Sequence, residues 1–233
     1  GPPEGHHTTE QLKQFPDWHS SAGHAHPDAG SFIIYAGGKV LTGDSGYAGV
    51  PMTAHHNTLL VNGKGQANEG KGHDAFDGFS YDLLNQLRIA DVKVEKNAVT
   101  IRAEVAATYK PELGLTRFTR WFTYKPGEGF EVKDELAAKQ PTTFTTLLHA
   151  DDKITADSKT QFTIGDATTK LIATLVAPAD FKAEIEPNIL TAPGKPGSVD
   201  KGEQQQRGER LAISNGKPSV SAQFILKLKL TPK

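Results

Sequence analysis

The chain has 233 residues, 36% hydrophobic and 23% charged, a globular composition with length for one large all-β domain. Its 26 Lys plus Arg stand against 27 Asp plus Glu, a net charge of −1, without the basic excess that marks a nucleic-acid binder. There is no Cys, which excludes a disulfide scaffold, a thiolate zinc site and a Cys nucleophile, and no apolar run approaches the roughly 20 residues that span a bilayer.

The opening Gly-Pro-Pro-Glu-Gly-His-His is polar and loop-like, with no initiator Met, charged leader or apolar leader core. Residues 1–15 read as a linker or cloning-derived segment and 16–233 as a single domain cut from a longer polypeptide. From Ser31 onward the periodicity is that of strands. Ser31–Ala36 and Lys39–Thr42 flank Gly37-Gly38, a hairpin signal. Thr58–Asn62 follows. Ala98–Ala107 then alternates, with Val99, Ile101, Ala103 and Val105 on one face. Leu115–Tyr124 does the same, placing Phe118 and Phe122 opposite Trp121. Further strands are expected over 129–136, 142–150, 160–164, 170–177, 181–185, 210–214 and 220–230. Lys125-Pro126-Gly127 and Ser214-Asn215-Gly216 supply turn chemistry between them. Helical patterns are confined to Thr9–Gln14 and Tyr81–Gln86. Many short strands with Gly/Pro turns predict an antiparallel β-sandwich of the large two-sheet type with very little helix. Gly63–Gly78 and Pro193–Gly208 read as polar loops.

Eight of the nine His lie within the first 73 residues. His24 and His26 are two apart and share a face of an extended segment. Asp44 follows His26 by 18 residues and His56 follows Asp44 by 12. A hairpin and a returning strand can carry His26, Asp44 and His56 to one end of a sheet. Two imidazoles and a carboxylate with an open position suit Zn²⁺. On spacing alone, a metal site and a set of surface or capping histidines both stay open. His55 reads as a strand-edge surface residue, Asp28 as a turn cap after Pro27, and His149 as a structural strand end.

Three motifs occur in order: His24-x-His26-x-Asp28-x-Gly30-x-Phe32, then Asp44-x-Gly46, then His56-Asn57-Thr58-Leu59-x-Val61-x-Gly63. Together they resemble the C-terminal β-domain of the heparinase II/III-like polysaccharide lyases, a superfamily of heparin/heparan sulfate, alginate and oligoalginate lyases. The resemblance implies zinc ligation by His26, Asp44 and His56, with a bracing role for the metal. It implies that His24 faces the substrate cleft and assists catalysis. It also implies an upstream (α/α) toroid as partner, an acidic polysaccharide or oligosaccharide as substrate, β-elimination at uronic acid as the reaction, and a periplasmic or secreted location. Tyr35 and Tyr47 are candidate cleft residues, and Lys64, Lys71 and Trp18 candidate substrate contacts. The toroid carries most of the catalytic acid–base groups in that family, so standalone activity of this chain is left open. Two other readings compete. One is a non-catalytic carbohydrate-binding or adhesion module using the aromatics of Phe118–Tyr124. The other is a zinc hydrolase built on His24-x-His26-x-Asp28, where Ala29 stands in place of the His that such a string requires.

Overall fold

A computed structural model describes residues 14–15, 25–44, 50–70, 75–191 and 204–232. Alternating apolar side chains cannot all be hidden by one sheet, so the strands close on each other as two antiparallel sheets and a small hairpin. The hairpin pairs β1 (Ile34–Ala36) with β2 (Lys39–Thr42) across Gly37-Gly38, both at positive φ as such a turn requires. A four-stranded sheet runs in the order β12 (Lys182–Thr191), β13 (Gln204–Ser214), β8 (Phe144–Ala150), β3 (Leu59–Val61).

The eight-stranded sheet begins with β4 (Arg88–Glu95), β5 (Ala98–Glu104), β6 (Leu115–Lys125) and β7 (Gly129–Thr142). It continues through β14 (Ser219–Pro232), β11 (Thr169–Ala177), β10 (Gln161–Gly165) and β9 (Ile154–Ala156). Among the described residues α-helix of more than one residue is confined to α1 (Tyr81–Leu84), within the expected 81–86. No helix there is long and apolar enough to cross a membrane. The expected helix over Thr9–Gln14 lies outside the described residues except for Gln14.

The period-2 pattern of β14 buries Phe224, Leu226 and Leu228, and that of β11 buries Leu171, Ala173 and Leu175. They meet Phe144 and Leu148 of β8 and Leu211 and Ile213 of β13 in one continuous core. Each fully buried side chain of this kind contributes about 1.5–3 kcal/mol. Alternation does not announce β4, because a bulge between Ile89 and Asp91 shifts its phase. Ile89, Val92 and Val94 pair with Ala103, Ile101 and Val99 and share a face despite their uneven spacing. The three-residue β9 is too short for a pattern. Of the two expected loops, the first holds as a loop among its described residues and the second is corrected in part. Gln204–Gly208 of the second belongs to β13, paired with β12 through bonds that do not depend on side-chain pattern. The first, among its described residues, buries Gln66, Ala67, Ala75 and Phe76, which with Leu84 form or flank a second small core.

A charged pair stands inside the sandwich. Arg120 of β6 is 0% exposed and Asp134 of β7 is 1% exposed. Arg120 donates through Nε to Asp134 Oδ1 (2.6 Å) and through Nη2 to Oδ2 (2.7 Å). Its Nη2 also reaches Thr146 Oγ1 of β8 at 3.2 Å. Its Nη1 donates to the carbonyls of Gly30 and Asn57, each at 2.7 Å. The guanidinium therefore spans both sheets and two loops, with every nitrogen used. Removing one partner strands the other charge in a low dielectric, so Arg120→Met or Asp134→Leu alone should cost about 3–5 kcal/mol in urea unfolding. The double variant should regain a substantial part of that loss; a double variant as unstable as the sum of the singles would contradict this picture.

His149 of β8 is also buried, at 2% exposure. Its Nε2 lies 2.8 Å from the Ala54 carbonyl, and its backbone N–H donates to Asn57 Oδ1 at 2.7 Å. Burial pushes its pKa down to about 3, reinforced by the charge of Arg210 and opposed by the Ala54 carbonyl. An unfolded imidazole titrates near 6.5, so the unfolded chain takes up this proton first as pH falls. The associated stability is complete above pH about 6.5 and is lost progressively toward the folded-state value. In metal-free protein, Tm should fall as pH drops from about 6.5 toward 4, and His149→Gln should flatten that slope. An unchanged slope in the variant would show that His149 is not the titrating group.

Candidate metal centre

Three segments converge at the open edge of the four-stranded sheet, where β3 ends the row. The first carries His26. It is fixed by a two-pronged contact in which Ala29 N–H donates to Gln66 Oε1 (2.9 Å) and Gln66 Nε2 donates to the Ala29 carbonyl (2.8 Å). Thr58 Oγ1 donates to that same carbonyl at 2.8 Å. Gly30 turns the chain at φ +78°, where a Cβ would press on Val105 at 3.2 Å. The second segment places Asp44 two residues beyond the end of β2. The third is a single 3₁₀ turn, Thr53–His55, that delivers His56 just before β3. Gly65 lets this turn sit close: an added Cβ would lie 2.3 Å from Thr53 Oγ1, while Thr53 Oγ1 itself accepts from Gln66 N–H at 2.7 Å.

His26, Asp44 and His56 each offer one ligand atom, and these atoms all lie within 4.8 Å of one another. The rings of His26 and His56 are 5.4 Å apart between centroids. His56 Nδ1 is 2.9 Å from Asp44 Oδ2, yet off the line of a hydrogen bond. Neither ring nitrogen of His56 has a hydrogen-bond partner, although the residue is 1% exposed. A buried imidazole normally satisfies at least one nitrogen, and a bound ion would satisfy this one. Ligand atoms around a tetrahedral zinc with bonds of about 2.0–2.1 Å stand about 3.3 Å apart, a separation that a group held within 4.8 Å can reach by small side-chain movements. The N, N, O donor set fits zinc, and the residues could hold it.

His55, expected at the surface, is instead 7% exposed. Its Nδ1 accepts from the Met52 N–H at 3.3 Å, closing the turn from inside. Burial, with the neighbouring His56 and Arg210, pushes its pKa down to about 4. Asp28 is exposed and outside the cluster; its backbone carbonyl accepts from Ser31 N–H at 2.9 Å. A groove of about 520 Å³ opens beside the triad, lined by His26, Asp28, Phe76, Arg88, Ile89 and Phe122 among others.

Tyr35 is 68% exposed on β1, opposite Val40, and Lys64 is exposed in the turn that follows β3. Neither lines this groove. Trp18, His24, Tyr47 and Lys71 lie outside the described residues. Composition gave no signal for Gln66, Arg120 or Tyr109, whose hydroxyl donates to the Leu59 carbonyl at 2.6 Å beneath the site. The signal for Asn57 and Thr58 was their place in the motif with His56.

The family model described as "Heparinase II/III-like, C-terminal" matches residues 16–229. No curated protein matches the chain. Among solved structures, it is similar to a heparinase III described as the BT4657 gene product, at 15% identity and a TM-score of 0.66, covering 90% of this chain and 31% of that one. It is similar to the heparan sulfate lyase HepC from Pedobacter heparinus at 13% identity and a TM-score of 0.66, covering 90% and 31%. A further heparinase III structure gives 13% identity and a TM-score of 0.66, covering 91% and 32%. The chain thus spans about a third of the length of these structures. At such identities the structural likeness speaks for the fold, and the family match, which runs over nearly the whole chain, decides membership: the chain belongs to the heparinase II/III-like C-terminal domain family.

Proposed function

We propose that this domain serves a polysaccharide lyase that cleaves uronic-acid-containing polysaccharide by β-elimination, to which it contributes a zinc site and one wall of the substrate cleft. The observation that carries the reading is the convergence of His26, Asp44 and a buried His56 with no hydrogen-bond partner on its ring, beside an open groove. When bound, zinc supplies a fixed positive charge that braces the three segments. In β-elimination a base removes the C5 proton of the uronic acid, and an acid protonates the oxygen leaving C4. His24, two residues before His26, is the residue of this domain assigned to that proton traffic. The remaining acid–base groups and much of the substrate positioning belong to a preceding toroid domain. Tyr35 and Tyr47 are secondary cleft candidates, and Lys64, Lys71 and Trp18 candidate contacts to an acidic saccharide, with Tyr35 and Lys64 set outside the groove beside the triad. A periplasmic or secreted setting accords with such a substrate.

The two competing readings lose support in the fold. Among the described residues the sandwich is all antiparallel, without the α/β layering of a metallo-β-lactamase-like hydrolase, and at Ala29 the backbone, not a side chain, is engaged. As a sugar-stacking face, β6 offers little. Phe118 is 0% exposed. The rings of Phe122 and Phe32 pack edge to face, 5.8 Å apart. Trp121 sits between its cross-strand neighbours Arg102 and Lys133, at 5.6 and 5.2 Å from the ring centroid.

Protein purified without chelator should carry close to one zinc per chain by elemental analysis. His56→Ala should abolish that uptake and the Tm rise that zinc gives the wild type; zinc retained in full by this variant would contradict the assignment. The chain alone should show little lyase activity on uronate polysaccharides, because one cleft wall leaves the substrate unoriented. Fused to a family toroid it should turn over, and His24→Ala should then lower kcat by roughly 10²-fold or more. Vigorous turnover by the isolated domain would place the catalytic base elsewhere.

A further inference from the structure

We propose that Asn57 is the positioning residue of the metal centre, the single side chain that sets the mutual register of all three ligand-bearing segments. The inference rests on the zinc reading above and extends it to a residue that is not itself a ligand. Asn57 is 0% exposed and adjoins His56. Its Nδ2 donates to the Phe32 carbonyl (2.9 Å), on the segment that leads out of the His26 loop. The same Nδ2 donates to Thr42 Oγ1 (3.0 Å), two residues before Asp44. Its Oδ1 accepts from the His149 N–H (2.7 Å), anchoring the whole to β8. The backbone joins in: Asn57 N–H donates to Ser31 Oγ at 3.1 Å, and its carbonyl accepts from Arg120 Nη1 at 2.7 Å.

Only a primary amide offers two donors and an acceptor on one short plane. A carboxylate would set an oxygen against the Phe32 carbonyl, and an apolar side chain would leave buried groups unpaired. The motif His56-Asn57-Thr58 thereby acquires a physical meaning. His56 supplies a ligand, Asn57 fixes the other two segments relative to it, and Thr58 ties the Ala29 carbonyl. Partners one step removed from a metal typically govern affinity by 10–100-fold.

The test compares zinc affinities of metal-free proteins, by competition with a chromophoric chelator, alongside their metal-free Tm. Asn215 provides the control. It is another buried asparagine, donating to the Thr142 and Lys217 carbonyls and accepting from Phe144 N–H, remote from the triad in its bonding. Asn57→Ala should weaken zinc binding about 10–100-fold. Asn215→Ala should lower Tm comparably while leaving zinc affinity at the wild-type value. Thr42→Val, which deletes one buried acceptor of Asn57, should weaken zinc while lowering metal-free Tm no more than Asn215→Ala does. It decides the matter alone if Asn57→Ala does not fold. Wild-type affinity in both Asn57→Ala and Thr42→Val overturns the assignment, as does an equal loss in Asn215→Ala. A wild type that takes up no zinc overturns the metal reading and this assignment with it, and the wild-type titration by itself identifies that case.

Discussion

The guanidinium of Arg120 is the contact on which the arrangement depends. A fully buried cation survives only if every donor finds an acceptor and its charge is balanced nearby. Asp134 balances the charge from the adjacent strand, while Gly30, Asn57 and Thr146 take the remaining donors. Because the fork is rigid, these partners cannot drift independently. One acceptor lies in the loop after His26, another is the residue after His56, and the third is on the opposite sheet. The rings of Phe118 and Phe32 pack against the cation at 5.2 and 6.0 Å and exclude water from it. The segments that carry His26 and His56 are therefore secured to the sandwich core rather than left as surface loops.

From this anchor the site is built outward, through buried polar layers to a partly exposed rim. Arg120 and Asp134 lie inside the sandwich, Asn57, Gln66 and His149 beneath the loops, then His56, and finally the partly exposed His26 and Asp44. The apolar core supplies bulk stability but no direction; the hydrogen-bonded layer above it supplies direction. That order explains how a three-residue strand and a single 3₁₀ turn hold His56 in place. Neither element is long enough to be rigid alone, and both take their rigidity from side-chain bonds to β8 and to the loop at Gln66.

Much of this was legible in the sequence because strand alternation is a local signal. β5, β6 and β14 follow from period 2, and the hairpin from Gly37-Gly38. β4 was hidden because its bulge breaks the period while preserving the face. The first half of β13, Gln204-Gln205-Gln206, is a strand by virtue of pairing with β12 and not by any apolar pattern. The approach of His26, Asp44 and His56 was anticipated from motif order and family resemblance, since spacing alone left surface histidines equally open. His55 was misread as exposed because a strand-edge reading ignores the 3₁₀ turn, which rotates its ring inward toward Met52. Arg120 carries no signal of its role in the sequence. Its partners are 14, 63 and 90 residues away in the chain, and no local pattern reports such contacts.

Zinc K-edge X-ray absorption on the zinc-loaded chain tests the central claim most directly, since it counts imidazoles without reference to activity. Coordination by His26, Asp44 and His56 predicts a shell of nitrogen and oxygen at about 2.0–2.2 Å, with outer-shell scattering from two imidazole rings. That ring scattering should be halved in His26→Ala protein that still holds zinc. A spectrum with no imidazole contribution, or one unchanged by His26→Ala, would contradict the account.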